Sequence, residues 1–114
     1  MLTQALIVFG ITAVGGLVLA AKVLTGKQAS WPVSVIHAGL GASGLTMLAL
    51  TMLDDDGSGR LIAALAILVV AALGGFYLMS FHLRKKIPPY SIVAIHISVA
   101  IVGILTLLGA VIGL

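Results

Sequence analysis

His37 and His96 are the residues of this 114-residue chain best suited to chemistry. Both imidazoles fall within apolar stretches, where an ionisable side chain is costly and marks a functional site by default. They also occupy one position of a sequence written twice. A shift of 59 positions, from 37 to 96, lays Gly15-Gly16 on Gly74-Gly75, Lys27 on Lys86, Trp31 on Tyr90 and Gly44 on Gly103. Matching leucines and alanines mean little in so apolar a chain. Glycine pairs, an aromatic and a histidine in one register mean much more. Two symmetry-related imidazoles can grip one cofactor from two sides.

The elements that must position them follow from composition. The chain is 61% hydrophobic and 8% charged, with a mean hydropathy of +1.31, which excludes an ordinary soluble domain. A bilayer-spanning helix needs about 20 apolar residues. Four stretches qualify: Leu2–Leu24, Trp31–Leu53, Leu61–Leu83 and Tyr90–Leu114. The expected fold is all-α, an integral membrane four-helix bundle forming a single transmembrane domain over residues 1–114. It consists of two tandem helical hairpins, about 2–54 and about 61–114. The first stretch is read as a mature helix rather than a secretory signal, because no Lys or Arg precedes it and it exceeds a typical signal core.

Gly26 and Lys27-Gln28-Ala29-Ser30 break the first hairpin, with Pro32 in the first turn of the next helix, where a missing N–H is harmless. Arg84-Lys85-Lys86 and Pro88-Pro89 break the second. Asp54-Asp55-Asp56-Gly57-Ser58-Gly59 links the halves as a charged turn. Trp31 and Tyr90 stand at matching helix entries as interfacial anchors. The basic excess is a topology signal, not a nucleic-acid signal. Lys22 and Lys27 flank the first connection; His82, Arg84, Lys85 and Lys86 flank the third; the acidic run fills the second. The positive-inside rule then puts connections one and three in the cytoplasm, and both termini outside a bacterial inner membrane. The absence of cysteine rules out disulfides and iron–sulfur clusters.

Two helices per repeat return the chain to its starting side. The repeat is therefore parallel, about an axis along the membrane normal, unlike the inverted repeats of many transporters. His37 and His96 share a depth, about 9 Å inside their helices at ~1.5 Å per residue. Gly41 and Gly44 continue the face of His37, and Ala100 and Gly103 that of His96. Gly15, Gly16, Gly74 and Gly75 lie about 12 Å from the same end on the other two helices, near histidine level. A flat, bulky group could approach backbone there. A b-type haem, whose iron takes axial imidazoles, fits this layout, and its anionic propionates would favour the end where Lys22, Lys27, His82, Arg84, Lys85 and Lys86 gather.

Simpler readings stand beside this one. Small-residue stripes serve close helix packing without any cofactor, and a membrane histidine can simply hydrogen-bond between helices. His82, whose counterpart is Val23, is expected at the interface as a propionate or quinone contact. Met47 and Met79 are common core residues and are not taken as ligands. Zinc and di-iron sites want three or more ligands, usually with carboxylates or cysteines, and no acid lies within an expected helix. The acidic run lacks the bidentate Glu of a calcium loop.

The chain resembles four-helix membrane b-type cytochromes, such as cytochrome b561 and the haem-anchoring subunits of respiratory dehydrogenases. The resemblance spans the chain as architecture, its motif being one histidine per hairpin. It implies His37 and His96 as axial ligands of one haem b, and Gly15, Gly16, Gly74 and Gly75 against the porphyrin. It also implies basic residues near the propionates, to be sought among Lys22, Lys27, His82, Arg84, Lys85 and Lys86. The size and helix count are also similar to small multidrug-resistance transporters, but the membrane glutamate those need is missing. The expected function is electron transfer through one bis-histidine haem near the cytoplasmic face, within the lipid bilayer. Quinone, a larger redox complex or a second copy are the partners considered. The competing functions are a cofactor-free membrane scaffold and a small transporter with titrating histidines.

Overall fold

A computed structural model describes residues 1–54 and 59–114; most of the acidic link between the halves lies outside the described residues. Four helices account for nearly all the rest: α1 Leu2–Leu24, α2 Trp31–Asp54, α3 Gly59–Leu83 and α4 Tyr90–Val111. Each is apolar and long enough to cross a bilayer, since 22 residues already cover about 33 Å at ~1.5 Å each. The expected and observed bounds of α1 coincide. α3 begins two residues earlier than expected, at Gly59, and α4 stops at Val111.

α1 pairs with α2 and α3 with α4 along most of their lengths, whereas the two hairpins meet more sparingly through α1 with α4 and α2 with α3. Among the described residues no Cα of α1 comes within 8 Å of α3, nor any of α2 within 8 Å of α4. The helices thus form a square in chain order, with α2 and α4 on one diagonal. Positions 59 apart occupy matching places: Ala5 and Ala64, Phe9 and Leu68, Leu48 and Leu107 are all buried.

The turns repeat as well. Lys27 N–H closes on the Lys22 carbonyl at 3.0 Å, and Lys86 N–H on the Phe81 carbonyl at 2.8 Å, the long bond of a Schellman helix end. That turn needs a left-handed residue. Gly26 fills the place in the first hairpin with φ +80°, and Lys85 in the second with φ +56°, a conformation that costs a non-glycine residue about 1 kcal/mol.

Large apolar side chains such as Ile11, Val14, Leu73 and Phe76 point outward. So extensive an apolar surface on a soluble monomer would drive association; around a multi-pass membrane protein it meets acyl chains. The interior is filled unevenly. Phe9, Leu48, Leu61, Ala64, Leu68 and Leu107 make a solid core at the end holding the termini. At the other end, where the basic turns lie, Ala20, Val23 and Val93 form only a small cluster. The histidines sit between the two.

Candidate functional site

His37 on α2 and His96 on α4 come from diagonally opposed helices and meet across the bundle axis. Their ring centres are 6.4 Å apart and their planes are inclined at 80°. Both line one cavity of about 340 Å³ walled by all four helices, within the size range of cofactor sites. Phe9 and Leu68 form its floor. Gly44 and Gly103 make that floor possible: a methyl group at Gly44 would stand 2.8 Å from the Phe9 ring, and one at Gly103 would stand 2.7 Å from Leu68. These two glycines serve the core beneath the cavity rather than its wall. Gly41, on the face of His37, does line it, as does Ala100.

The paired glycines have a part that spacing alone does not reveal. They seat the imidazoles, and Gly16 and Gly75 also border the cavity. A Cβ at Gly16 would lie 2.9 Å from His37 Cε1, and one at Gly75 would lie 3.2 Å from His96 Cε1. Gly15 and Gly74 border the Cβ and Nδ1 sides of the same rings. Each histidine is therefore packed against the other helix of its own hairpin, and only a glycine pair lets the ring lie so close to that backbone.

The two seats differ in their polar contacts. His37 Nδ1 hydrogen-bonds the Thr12 carbonyl at 2.8 Å, across from α2 to α1. A carbonyl can only accept, so Nδ1 carries a proton and donates; in the neutral ring this leaves Nε2 with its lone pair. The equivalent carbonyl in α3 belongs to Ala71. It is near enough to interact with the His96 ring but outside hydrogen-bonding geometry, and His96 Nδ1 is buried with no partner. A buried polar atom left so costs about 1–3 kcal/mol. Thr12 and Ala71 also differ in side chain: the Thr12 hydroxyl donates to the Val8 carbonyl at 2.7 Å, a contact that tends to bend helices.

The cavity extends toward the basic end, where Gln28, His82, Lys86 and Pro88 border it. His82 is held there by stacking on Trp31, with ring centres 3.8 Å apart and planes 18° apart. This contact joins α2 to α3 and has no counterpart in the repeat, since Val23 and Tyr90 take those places. Of the six basic-end residues picked out by sequence, His82 and Lys86 border the cavity. Lys22, Lys27, Arg84 and Lys85 do not; they face outward on the turns. Arg84 bonds the Ser80 carbonyl and hydroxyl and lies 4.6 Å from the centre of the Phe81 ring.

Two imidazoles are too few ligands to hold a bare metal ion. No third His, Asp or Glu joins them among the described residues, whereas a zinc site takes three or four protein ligands. The pair suits a metal that brings its own equatorial donors. With metal–nitrogen bonds of about 2 Å, two axial imidazoles hold their ring centres about 6 Å apart, close to the spacing found here. The donor set, the spacing, the shared cavity and the Lys86 ammonium at its mouth all fit a haem. No model of a known protein family, no curated protein and no solved structure matches the chain.

Proposed function

We propose that the chain is a membrane electron-transfer protein, or the membrane subunit of a larger redox complex, holding one haem b between His37 and His96. One observation carries this reading: two imidazoles on diagonally opposed helices, 6.4 Å apart and nearly perpendicular, facing a common cavity. A bound haem supplies one-electron chemistry, with a potential tuned by its ligands and burial. The chain's own residues do the rest. The Thr12 carbonyl fixes the tautomer of His37 so that Nε2 is the free electron-pair donor, as is usual where the other ring nitrogen of a metal-bound histidine is held by a hydrogen bond. Gly16 and Gly75 set the rings' height; Phe9 and Leu68 close the floor; the apolar walls exclude water. Lys86 and His82 at the mouth offer donors to carboxylates. By the positive-inside rule that mouth faces the cytoplasm of a bacterial inner membrane, within reach of a quinone or a redox partner.

A cofactor-free scaffold has one observation in its favour, the interhelical bond from His37 to Thr12. It leaves unexplained why two imidazoles should flank a cavity, one of them with an unpaired nitrogen. The test is optical. Full-length protein purified from haem-replete cells is expected to show a Soret band and split α/β bands on reduction, weakened or lost in His37→Ala and His96→Ala. A colourless, folded wild type refutes the haem reading; undiminished haem in both variants refutes the ligand assignment.

A further inference from the structure

We infer that the two histidines are unequal ligands: His96 is the exchangeable one, and a cleft between α3 and α4 lets a small, lipid-soluble diatomic molecule of the carbon monoxide class replace it. This rests on the haem reading above. A hydrogen bond from the non-ligating nitrogen orients a metal-bound imidazole and raises its basicity, and losing such a partner weakens binding about 10- to 100-fold. His37 has that bond, to Thr12; at His96 the equivalent Ala71 carbonyl makes only a looser contact, outside hydrogen-bonding geometry. The glycine seat points the same way, being closer at His37 (2.9 Å from a Cβ at Gly16) than at His96 (3.2 Å from one at Gly75).

Access is unequal too. On the outer side of the second hairpin a cleft of about 370 Å³ runs between α3 and α4 to His96, bordered by Val70, Ala71, Gly74, Tyr77 and Val99. Val70 and Tyr77 are exposed on that face, so the cleft opens where acyl chains lie. Its wall is apolar apart from the Tyr77 and His96 side chains, which admits a neutral diatomic dissolved in the membrane and disfavours an anion such as cyanide. In the first hairpin Val18 and Leu40 stand where the second has Tyr77 and Val99. With haem bound, His96 Nε2 would leave with its electron pair and the incoming carbon would donate its own, so the exchange would need neither oxidant nor reductant.

The test uses dithionite-reduced full-length protein in mild detergent under carbon monoxide. Wild type is expected to give a carbon monoxide difference spectrum. His96→Ala should retain haem in a five-coordinate form that binds the gas faster, while His37→Ala should lose most of its haem. Val99→Leu, which restores the first hairpin's residue, should keep the wild-type Soret band yet rebind carbon monoxide several-fold more slowly after flash photolysis. A red, six-coordinate wild type that gives no difference spectrum, or equal haem loss in the two histidine variants, overturns the inequality and leaves the haem reading standing. An unchanged rebinding rate in Val99→Leu overturns the route. A colourless wild type overturns the haem reading and this inference together.

Discussion

The seating of each imidazole on a glycine makes ring orientation sensitive to a single methyl group. A Cβ at Gly16 would press on His37 Cε1 from 2.9 Å, and the ring cannot retreat without giving up the Thr12 carbonyl. Overpacking of this kind costs about 1–3 kcal/mol. Gly16→Ala is therefore expected to turn or tilt His37 and change the angle between the two imidazole planes, now 80°, which would be the axial planes of the proposed haem. Electron paramagnetic resonance of the oxidised protein reports that angle: near-perpendicular imidazoles give a highly anisotropic low-spin signal, and more parallel ones a rhombic signal. Wild type should show the first, and Gly16→Ala a shift toward the second or a loss of haem. Gly39→Ala, where a Cβ meets nothing within 4 Å, serves as the neutral control. An identical signal in wild type and Gly16→Ala would show that the glycine does not set the ring.

The helices themselves were largely legible in the sequence, because hydropathy and length report on a segment's solvent without reference to its neighbours. The 59-residue spacing also exposed the histidine pair and the glycines beside it. What stayed hidden depends on how each helix is turned about its axis. Spacing put Gly16 and Gly75 near histidine level but not under the rings; it grouped six cationic or titratable residues at one end but could not say that His82 and Lys86 alone border the cavity. The Trp31–His82 stack and the lone His96 Nδ1 are further contacts between helices, and they fall where the repeat is broken. The turns, by contrast, carry a side assignment in their charge: both basic turns lie at one end, which the positive-inside rule would assign to the cytoplasm. The sequence contains no cysteine, so Gln28→Cys and Thr3→Cys each give a single label site at opposite ends. An impermeant maleimide applied to intact cells is expected to label Thr3→Cys and spare Gln28→Cys; the reverse pattern inverts the orientation.

Uneven packing gives the bundle as a whole a dependence on whatever fills its cavity. Within each hairpin the contact is continuous, but the hairpins touch each other sparingly, and their shared hydrophobic core lies mainly at the terminal end around Leu48, Leu68 and Leu107. Toward the basic end they are joined chiefly by the Trp31–His82 stack and the small cluster of Ala20, Val23, Val93 and their neighbours. The bilayer provides no hydrophobic force to press helices together, so association rests on packing and hydrogen bonds, and a cavity of about 340 Å³ removes packing from the very place where the hairpins should hold each other. A ligand that binds both histidines bridges α2 and α4 across that gap. Binding only the folded state adds about 2.7 kcal/mol when the free ligand stands at 100 times its dissociation constant. Protein from haem-deprived cells should accordingly melt at a lower temperature than protein from haem-replete cells, and added hemin should restore the difference. In His37→Ala the same addition should restore little, since the anchor inferred to be the stronger is gone. Equal melting temperatures with and without hemin in wild type would mean that the hairpins hold together unaided, and that the cavity contributes nothing to stability by being filled.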